Sequence, residues 1–194
     1  MSYEEIEEIY LQDQIKQDRK AAQEWAANLL TRHDWLILDT ETTGLNIHTA
    51  EIIEIALLRP DGSVLLNQRL KPRGAIESGA SRTHGITLAN LADCPSFSDI
   101  YLNLRAVLSD LVVVCYNADY DQPILRNECR RAGLPDIENQ WRCAMVKYAE
   151  FVGEWSEWHG NYRYQRLPGG DHSAIGDCRA TLKLIQKMAA ASGI

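Results

Sequence analysis

The segment Trp35-Leu36-Ile37-Leu38-Asp39-Thr40-Glu41-Thr42-Thr43-Gly44-Leu45 joins an apolar run directly to a polar cluster. The apolar part is typical of a buried strand, and the polar part is typical of the turn that ends such a strand. In an extended chain, residues i and i+2 point to the same side, so Asp39 and Glu41 can face one site. An Asp-x-Glu pair also occurs in ordinary solvated turns, so a functional interpretation needs support from other residues.

The segments that follow this strand predict an α/β fold. Residues 52–58 and 64–70 have strand character and flank Asp61-Gly62, which is a strong hairpin signal. Beyond a loop at residues 81–86, we predict a helix at 97–110, an almost continuously apolar strand at 111–116, a helix at 122–132 that ends at Gly133, and a final helix from about Ser173 to Ala190. Strands that begin as a hairpin and then alternate with helices indicate a mixed sheet flanked by helices.

The N-terminal part of the chain predicts one long accessory helix. Apolar side chains recur at roughly helical spacing over residues 3–31, without proline or glycine. The chain has 194 residues, of which 45% are hydrophobic, so it can bury one core and has no room for two large domains of ~100–200 residues each. We therefore expect an N-terminal helical extension, residues 1–32, followed by one domain, residues 33–194.

Three features predict a cytoplasmic protein without membrane contact. No apolar run approaches the ~20 residues that a membrane-spanning helix needs. The N-terminus opens with acidic residues, whereas a signal peptide has a cationic start and an apolar run. The 5 cysteines form no Cys-x-x-Cys pair, which argues against a disulfide framework and against a structural zinc site. Reduced thiols are therefore expected.

The formal net charge of −7 does not exclude a nucleic-acid substrate. Residues 1–30 contain seven acidic and three basic residues, so much of the negative charge lies in the N-terminal segment. If four of the remaining acids bind divalent cations, acidic and basic residues in the rest of the chain are nearly balanced. The charge does argue against a tight, non-specific duplex binder that works by counterion release.

Two further acids occur where they could join Asp39 and Glu41. Asp121 follows the predicted strand 111–116, and Asp177 lies on the final predicted helix. Four carboxylates that converge from three segments repel one another, so bound cations would be needed to neutralise their charge. A set of oxygen ligands suits hard divalent ions such as Mg²⁺ and Mn²⁺.

The motifs around these acids resemble those of the DEDDh 3′–5′ exonucleases, a family that includes the proofreading subunit of bacterial DNA polymerase III and ribonuclease T. The resemblance rests on the first segment quoted above, on residues 117–121 (Asn-Ala-Asp-Tyr-Asp), and on His172, five residues before Asp177. It extends to residues 51–56 and 84–87 and covers about residues 35–190. Several independent motifs must each lie on the right predicted element, which makes coincidence a poor explanation.

The resemblance implies a ribonuclease-H-like fold, with a mixed five-stranded sheet, flanking helices and an extra N-terminal helix. It also implies two divalent metal ions, Mg²⁺ or Mn²⁺. Asp39 would bridge both ions, Glu41 and Asp177 would complete the first, and Asp121 would hold the second. His172 would be the general base, and imidazole can take up a proton near neutral pH.

The same resemblance implies a substrate and partners. Thr42, Gly44 and Leu45 would contact the terminal nucleotide, with Leu45 against its base, and His84 and Asn117 would lie near the substrate. Glu54 also matches a family position, but its apolar neighbours make a structural role an equal alternative. The implied substrate is nucleic acid with a free 3′ end, single-stranded DNA before RNA. The products would be nucleoside 5′-monophosphates. A DNA polymerase or another replication or repair protein is the further partner implied.

Residues 151–166 depart from the common family pattern because they are dense in tryptophan, tyrosine and arginine. Such side chains could stack on unpaired bases and contact phosphates. Alternatively, they form a hairpin whose aromatic rings complete a small core, which is the interpretation we favour. Gly169-Gly170 would keep the following segment mobile.

The sequence is also compatible with two other functions. A protein of this fold could be a non-catalytic scaffold that binds nucleic acid, although the presence of all four acids and His172 argues against it. Alternatively, the same site could belong to a metal-dependent nucleotidase or phosphatase that acts on small molecules, for which an acidic surface is no obstacle.

Overall fold

A mixed sheet of five strands forms the centre of the computed structural model, which describes residues 2–191. The strands are β1 (Trp35–Thr42), β2 (Ile52–Leu58), β3 (Val64–Arg69), β4 (Val112–Cys115) and β5 (Gln140–Cys143). They lie in the order β3-β2-β1-β4-β5. Strand β2 pairs antiparallel with both β1 and β3, whereas β4 is parallel to both β1 and β5. The predicted hairpin and mixed sheet are confirmed.

Helices cover both faces of this sheet. They are α1 (Tyr3–Leu30), α2 (Ser78–His84), α3 (Phe97–Leu108), α4 (Ala118–Ala132), α5 (Ala144–Val152) and α6 (Ala174–Ala190), with a short 3₁₀ helix at Leu88–Leu91. A small separate hairpin, formed by β6 (Trp155–Ser156) and β7 (Asn161–Tyr162), lies between α5 and α6 in the sequence.

Alternation along β1 distributes its side chains between two cores. Leu36 and Leu38 pack with residues of α3 and α4 on one face of the sheet. Trp35 and Ile37 pack with residues of α1 and α6 on the other face. All seven residues of β2 are buried because helices cover both of its faces. Because both faces of the sheet are covered, the sequences of β1 and β2 contain nearly continuous apolar runs instead of alternating apolar and polar residues.

Local signals set the ends of the helices that carry the acids. Gly133 ends α4 with φ of 67°, a left-handed backbone conformation that glycine adopts without steric cost. Ser173 caps α6, since its hydroxyl accepts a hydrogen bond from the Gly176 N–H at 3.1 Å. The predicted C-terminus of α4 and the predicted start of α6 are confirmed. Asp177 lies in the first turn of α6.

Four parts of the sequence prediction were wrong or incomplete. The predicted loop at residues 81–86 is mostly helical, because α2 extends to His84 before Gly85 ends it. Helix α4 begins at Ala118 rather than at residue 122, so Asp121 lies in its first turn, where negative charge is favoured. Strand β5 and helix α5 were not predicted. The strand is short and only partly buried, and its pairing with β4 holds it in place.

The N-terminal helix α1 contributes to the core instead of projecting from it. Ala26 and Leu29 are buried in the same cluster as residues of α6, and Ala22 is also fully buried. Arg19 donates hydrogen bonds to the carbonyl oxygens of Phe151 and Val152 at 2.8 and 2.9 Å. Among the described residues, no helix combines the length and apolar character needed to cross a membrane. The five cysteines are all free thiols.

Candidate active site

The candidate site lies where β1 extends beyond its neighbour β4. Strand β4 pairs with β1 from Trp35 to Ile37, and the chain then turns into α4. The second half of β1 keeps its pairing with β2 on the other side. A groove therefore opens beside Asp39 and Glu41, at the carboxyl end of the parallel strands, which is the usual location of ligand sites in such sheets.

Three elements bring the four predicted acids to this end of the sheet. Asp39 and Glu41 lie two residues apart on β1, on the face that packs against α6. Asp177 approaches them from the first turn of α6. Asp121 approaches from the first turn of α4, where its Oδ1 accepts a hydrogen bond from Thr40 Oγ1 at 2.8 Å.

The carboxylates of Asp39, Glu41 and Asp177 form a compact cluster. Each offers an oxygen atom, and these atoms all lie within 4.8 Å of one another. Within residues 2–191, none of these side chains forms an ion pair with lysine or arginine. Closely spaced carboxylates without a compensating cation fit the oxygen-only donor set that Mg²⁺ and Mn²⁺ prefer.

Burial and mutual repulsion raise the pKa values of these acids. Burial, followed by the charges of Asp121 and Asp177, raises the pKa of Asp39 well above its ordinary value. Burial raises the pKa of Glu41 to about 8, and Asp177 adds to this shift. Burial raises the pKa of Asp121 to about 7. Because the charged form is disfavoured in each case, a bound cation would relieve the cluster.

His172 and three of the acids share one open groove with a volume of about 660 Å³. Asp39, Asp121 and Asp177 line it, and Asn117 lies at the start of α4 beside them. The volume lies within the ~300–1,000 Å³ typical of pockets for small ligands, so it can hold a nucleotide.

The backbone around His172 is held by the carboxylate of Asp177. Asp177 Oδ1 accepts hydrogen bonds from the N–H groups of Asp171 and His172 at 2.9 and 3.3 Å. His172 itself has φ of 59°, a conformation that costs energy for a residue other than glycine. Its side chain is exposed to solvent. The arrangement therefore ties the backbone of His172 to a proposed metal ligand while leaving the imidazole accessible.

The predicted substrate residues divide into exposed and buried ones. Leu45 is 85% exposed, so its side chain is available to contact a base. Thr42 and Gly44 are buried, and Thr42 Oγ1, Tyr120 Oη and the Gly44 carbonyl oxygen lie within 2.8 Å of one another. A Cβ atom on Gly44 would overlap the carboxylate of the exposed Glu77 side chain, which would have to move away. Thr42 and Gly44 therefore shape the turn that presents Leu45.

His84 lies behind the turn and supports it. Its Nδ1 accepts a hydrogen bond from the Ile86 N–H at 3.0 Å, so the proton of the neutral ring is on Nε2. That Nε2 lies 3.2 Å from the Thr42 carbonyl oxygen and donates to it. Burial lowers the pKa of His84, which favours this neutral form. The geometry gives His84 a positioning role at the end of β1.

Glu54 has the structural role that was one of its two predicted alternatives. The side chain is buried, and its Oε2 accepts a hydrogen bond from the Ala174 N–H at 2.9 Å. Its Oε1 accepts one from Arg69 Nε at 3.0 Å. A carboxylate at the first residue of α6 stabilises that helix end, and α6 carries Asp177.

Several groove residues were not identified from the sequence. They are Thr83, Tyr116, Tyr120, Arg166, Leu167 and Gly170. Tyr116 and Tyr120 lie next to or within the motif at residues 117–121, so proximity to a motif could have identified them. Arg166 belongs to the segment 151–166, for which phosphate contact was the less favoured of two interpretations, and the fold brings it to the groove.

Comparison with known proteins identifies the family. The RNase_T family model, described as an exonuclease, matches residues 36–185. The chain belongs to this exonuclease family. The resemblance to the DEDDh exonucleases and the ribonuclease-H-like fold are confirmed.

Relatives of this exonuclease are known from phage and bacteria. It is 34% identical over 173 residues to the uncharacterized exonuclease CP81 of Escherichia phage 186. The aligned region covers 80% of this chain and 88% of the phage protein. It is 31% identical over 102 residues to DNA polymerase III subunit epsilon of Buchnera aphidicola subsp. Schizaphis graminum. That aligned region covers 48% of this chain and 44% of the subunit. The structure of E. coli exonuclease I in complex with a dT13 oligonucleotide has a similar fold, with a TM-score of 0.67 and 17% identity, over 80% of this chain and 41% of that one.

The raised carboxylate pKa values predict that the metal-free exonuclease loses stability as pH rises. Burial raises the pKa values of Glu41 and Asp121 to about 8 and about 7 in the folded chain, from ordinary values of 4.5 and 3.8. Their contribution to the free energy of unfolding is fully present below the unfolded pKa values and is lost as pH rises through the folded ones. Between about pH 5 and pH 8, we expect the melting temperature in EDTA to fall by about 5 °C or more.

Thermal melts in EDTA across this range would measure the effect. The double variant Glu41→Gln, Asp121→Asn serves as control, because it removes these two titrations and keeps the others. Its melting temperature should change less with pH than that of the wild type, and Mg²⁺ should raise the wild-type value at the alkaline end. Equal pH dependence in both proteins would contradict the proposed electrostatics.

Proposed function

We propose that this exonuclease removes nucleoside 5′-monophosphates stepwise from the free 3′ end of a nucleic acid, with single-stranded DNA favoured and RNA also accepted. The observation that carries this proposal is the uncompensated carboxylate cluster beside His172 in a groove of nucleotide size. The solved relative bound to a dT13 oligonucleotide supports single-stranded DNA as the favoured substrate.

The four acids would hold two divalent ions, Mg²⁺ or Mn²⁺. Asp39 would be shared by both ions, Glu41 and Asp177 would complete the first site, and Asp121 would contribute to the second. When bound, the ions supply positive charge that stabilises the phosphate as its negative charge grows in the transition state.

The remaining groups of the groove orient the substrate and move one proton. His172 would take the proton of the attacking water on a ring nitrogen, which its exposed position at the groove permits. Asn117 lines the groove and would contact the terminal nucleotide. Leu45, presented by the turn after β1, would contact its base. Arg166 supplies a positive charge in the groove wall, where it can attract phosphate.

We also propose the domain division and partner that the sequence suggested. The family model begins at residue 36, which supports residues 1–32 as an extension and residues 33–194 as the exonuclease domain. Residue 1 and residues 192–194 lie outside the described part of the chain. The relative that is named as a subunit of DNA polymerase III supports a polymerase, or another replication or repair protein, as partner.

Degradation of 5′-labelled single-stranded DNA and RNA of equal sequence tests the proposed direction. With Mg²⁺ or Mn²⁺, we expect a ladder of labelled products that shorten from the 3′ end, and no reaction in EDTA. A 3′-phosphate block should stop the reaction, and a circular strand should remain intact. A free mononucleotide included as a further substrate tests the small-molecule alternative.

Each other outcome has a definite meaning. Immediate release of the labelled 5′ nucleotide would reverse the assigned direction. Cleavage of the circle at the rate of the linear strand would show an endonuclease. Rapid dephosphorylation of the mononucleotide, with oligonucleotides left intact, would support the nucleotidase alternative instead.

A further inference from the structure

The hairpin β6–β7 and its flanking residues carry two aromatic side chains that pack inward and two that are exposed to solvent. Trp155 and Tyr162 face inward, with ring centroids 5.3 Å apart in an edge-to-face arrangement. They pack with Ile15 of α1 in a small separate core. Tyr162 Oη also donates a hydrogen bond to Asp18 at 2.7 Å. The small core anticipated for this segment is therefore present, and two of its aromatic residues account for it.

The other two aromatic side chains have no such packing role. Trp158 is 90% exposed and Tyr164 is 59% exposed. Together with His159 and Arg163, they line an open depression with a volume of about 680 Å³. Burial of a large aromatic side chain is favourable, so a tryptophan left almost fully in water at a well-packed hairpin is available for a ligand.

The hairpin is fixed at both of its ends, so this surface is pre-organised. Before it, the carbonyl groups of Phe151 and Val152 accept hydrogen bonds from Arg19. After it, the Gln165 carbonyl oxygen accepts a hydrogen bond from Tyr116 Oη at 2.6 Å. Tyr116 lines the catalytic groove, so this bond connects the hairpin directly to the groove wall.

The exposed aromatic surface continues into the catalytic groove. Tyr164 lies two residues before Arg166, which lines the groove. Two residues span at most about 7 Å of chain, so the two surfaces adjoin. Neither Arg163 nor Arg166 forms an ion pair within residues 2–191. Their charges are therefore free to complement a phosphate backbone that passes from one surface to the other.

We propose that Trp158, Tyr164 and Arg163 form a binding site for unpaired nucleotides of the substrate strand. The site would bind nucleotides on the 5′ side of the phosphate being cleaved. This inference rests on the proposed function: when the 3′-terminal nucleotide occupies the groove, only the 5′ part of the strand extends beyond it. Bases stack on Trp158 and Tyr164, and Arg163 contacts the backbone. Because a paired base has no free face at such a site, the site favours single strands.

The double variant Trp158→Ala, Tyr164→Ala tests this site. Two substrates are compared: oligo-dT of about 12 nucleotides, which is long enough to reach the hairpin, and the p-nitrophenyl ester of thymidine 5′-monophosphate, which occupies the groove alone. We expect the KM for the oligonucleotide to rise by about 5- to 100-fold, the range expected when base stacking is lost. The kinetic constants for the ester should stay at wild-type values.

Conservative and distant substitutions serve as controls. Trp158→Phe and Tyr164→Phe keep an aromatic face, so each should keep a KM near that of the wild type. Leu102→Ala removes an equally exposed apolar side chain from α3, on the opposite face of the sheet, and should have no effect. The melting temperature of the double variant should match that of the wild type, because both replaced side chains are exposed.

The two substrates separate failure of this site from failure of the proposed function. A wild-type protein that hydrolyses neither substrate would overturn the proposed function. A wild-type protein that hydrolyses both, together with a double variant whose oligonucleotide KM is unchanged, would overturn the hairpin site alone and would direct attention to a protein partner for this surface. Equal losses on both substrates would also overturn it, because the effect would then arise in the groove.

Discussion

Replacement of Asp39, Asp121 or Asp177 by alanine is expected to abolish nearly all exonuclease activity, with a loss of more than about 10³-fold for each variant. These acids approach the groove from three different elements: Asp39 from β1, Asp121 from α4 and Asp177 from α6. The loss should be steep because an incomplete set of ligands leaves the reaction without its charge stabilisation, rather than weakening it by a fixed fraction.

The fold should survive these substitutions. Removal of one carboxylate from a repelling cluster relieves repulsion in the metal-free protein, so its melting temperature in EDTA should be unchanged or higher. Asp119→Ala is a matched control, because Asp119 lies in the same first turn of α4 as Asp121 but is exposed. It should retain wild-type turnover. Near wild-type turnover in any of the three cluster variants would refute the ligand assignment.

His172→Ala is expected to lower turnover by about 10²–10⁴-fold, the usual contribution of a positioned general base, while metal binding is largely retained. The loss should be partly restored at higher pH, where more hydroxide is present and the attacking water needs no side chain to take its proton. The variant rate should therefore continue to climb where the wild-type rate has levelled off. Profiles of rate against pH for both proteins measure this difference.

Two control variants separate this role from the alternatives. In a related subclass, a tyrosine four residues before the final aspartate handles the proton, but that position is Ser173 here. Tyr164→Phe should therefore retain turnover. His33→Ala, an exposed histidine before β1, should also retain it. Full activity of His172→Ala, or collapse of Tyr164→Phe, would show that a different group is the base.

The secondary structure that could be predicted was the part with strong local signals. The hairpin β2–β3 was identified because Asp61-Gly62 separates two apolar runs, and Gly62 has the positive φ that such a turn needs. Helix α4 was identified up to its C-terminus, where Gly133 is a clear stop signal. Its beginning was misplaced by four residues, because the negative charges of Asp119 and Asp121 are favourable at a helix start but do not specify one.

The elements that were missed depend on contacts that are distant in sequence. Strand β5 has four residues with mixed character, and its parallel pairing with β4 maintains it. Helix α2 has seven residues, too few for a stable isolated helix, and its last residue His84 is bonded to the end of β1. Tertiary contacts of this kind override weak local preferences, so a pattern read along the chain cannot reveal them.

For the candidate site, the sequence by itself determined which residue types are available and in what order. The i, i+2 spacing of Asp39 and Glu41 places them on one side of β1, because side chains alternate along any strand. The motifs around Asp39, Asp121 and Asp177 together indicated the family. Only the tertiary structure decided which groups share the groove: it added Arg166 and Tyr116, assigned Glu54 to the start of α6, and left Trp158 and Tyr164 exposed while burying Tyr162. The physical reason is that alternation and turn chemistry act between near neighbours in the chain, whereas burial, charge compensation and hydrogen-bond partners depend on which distant segments pack together.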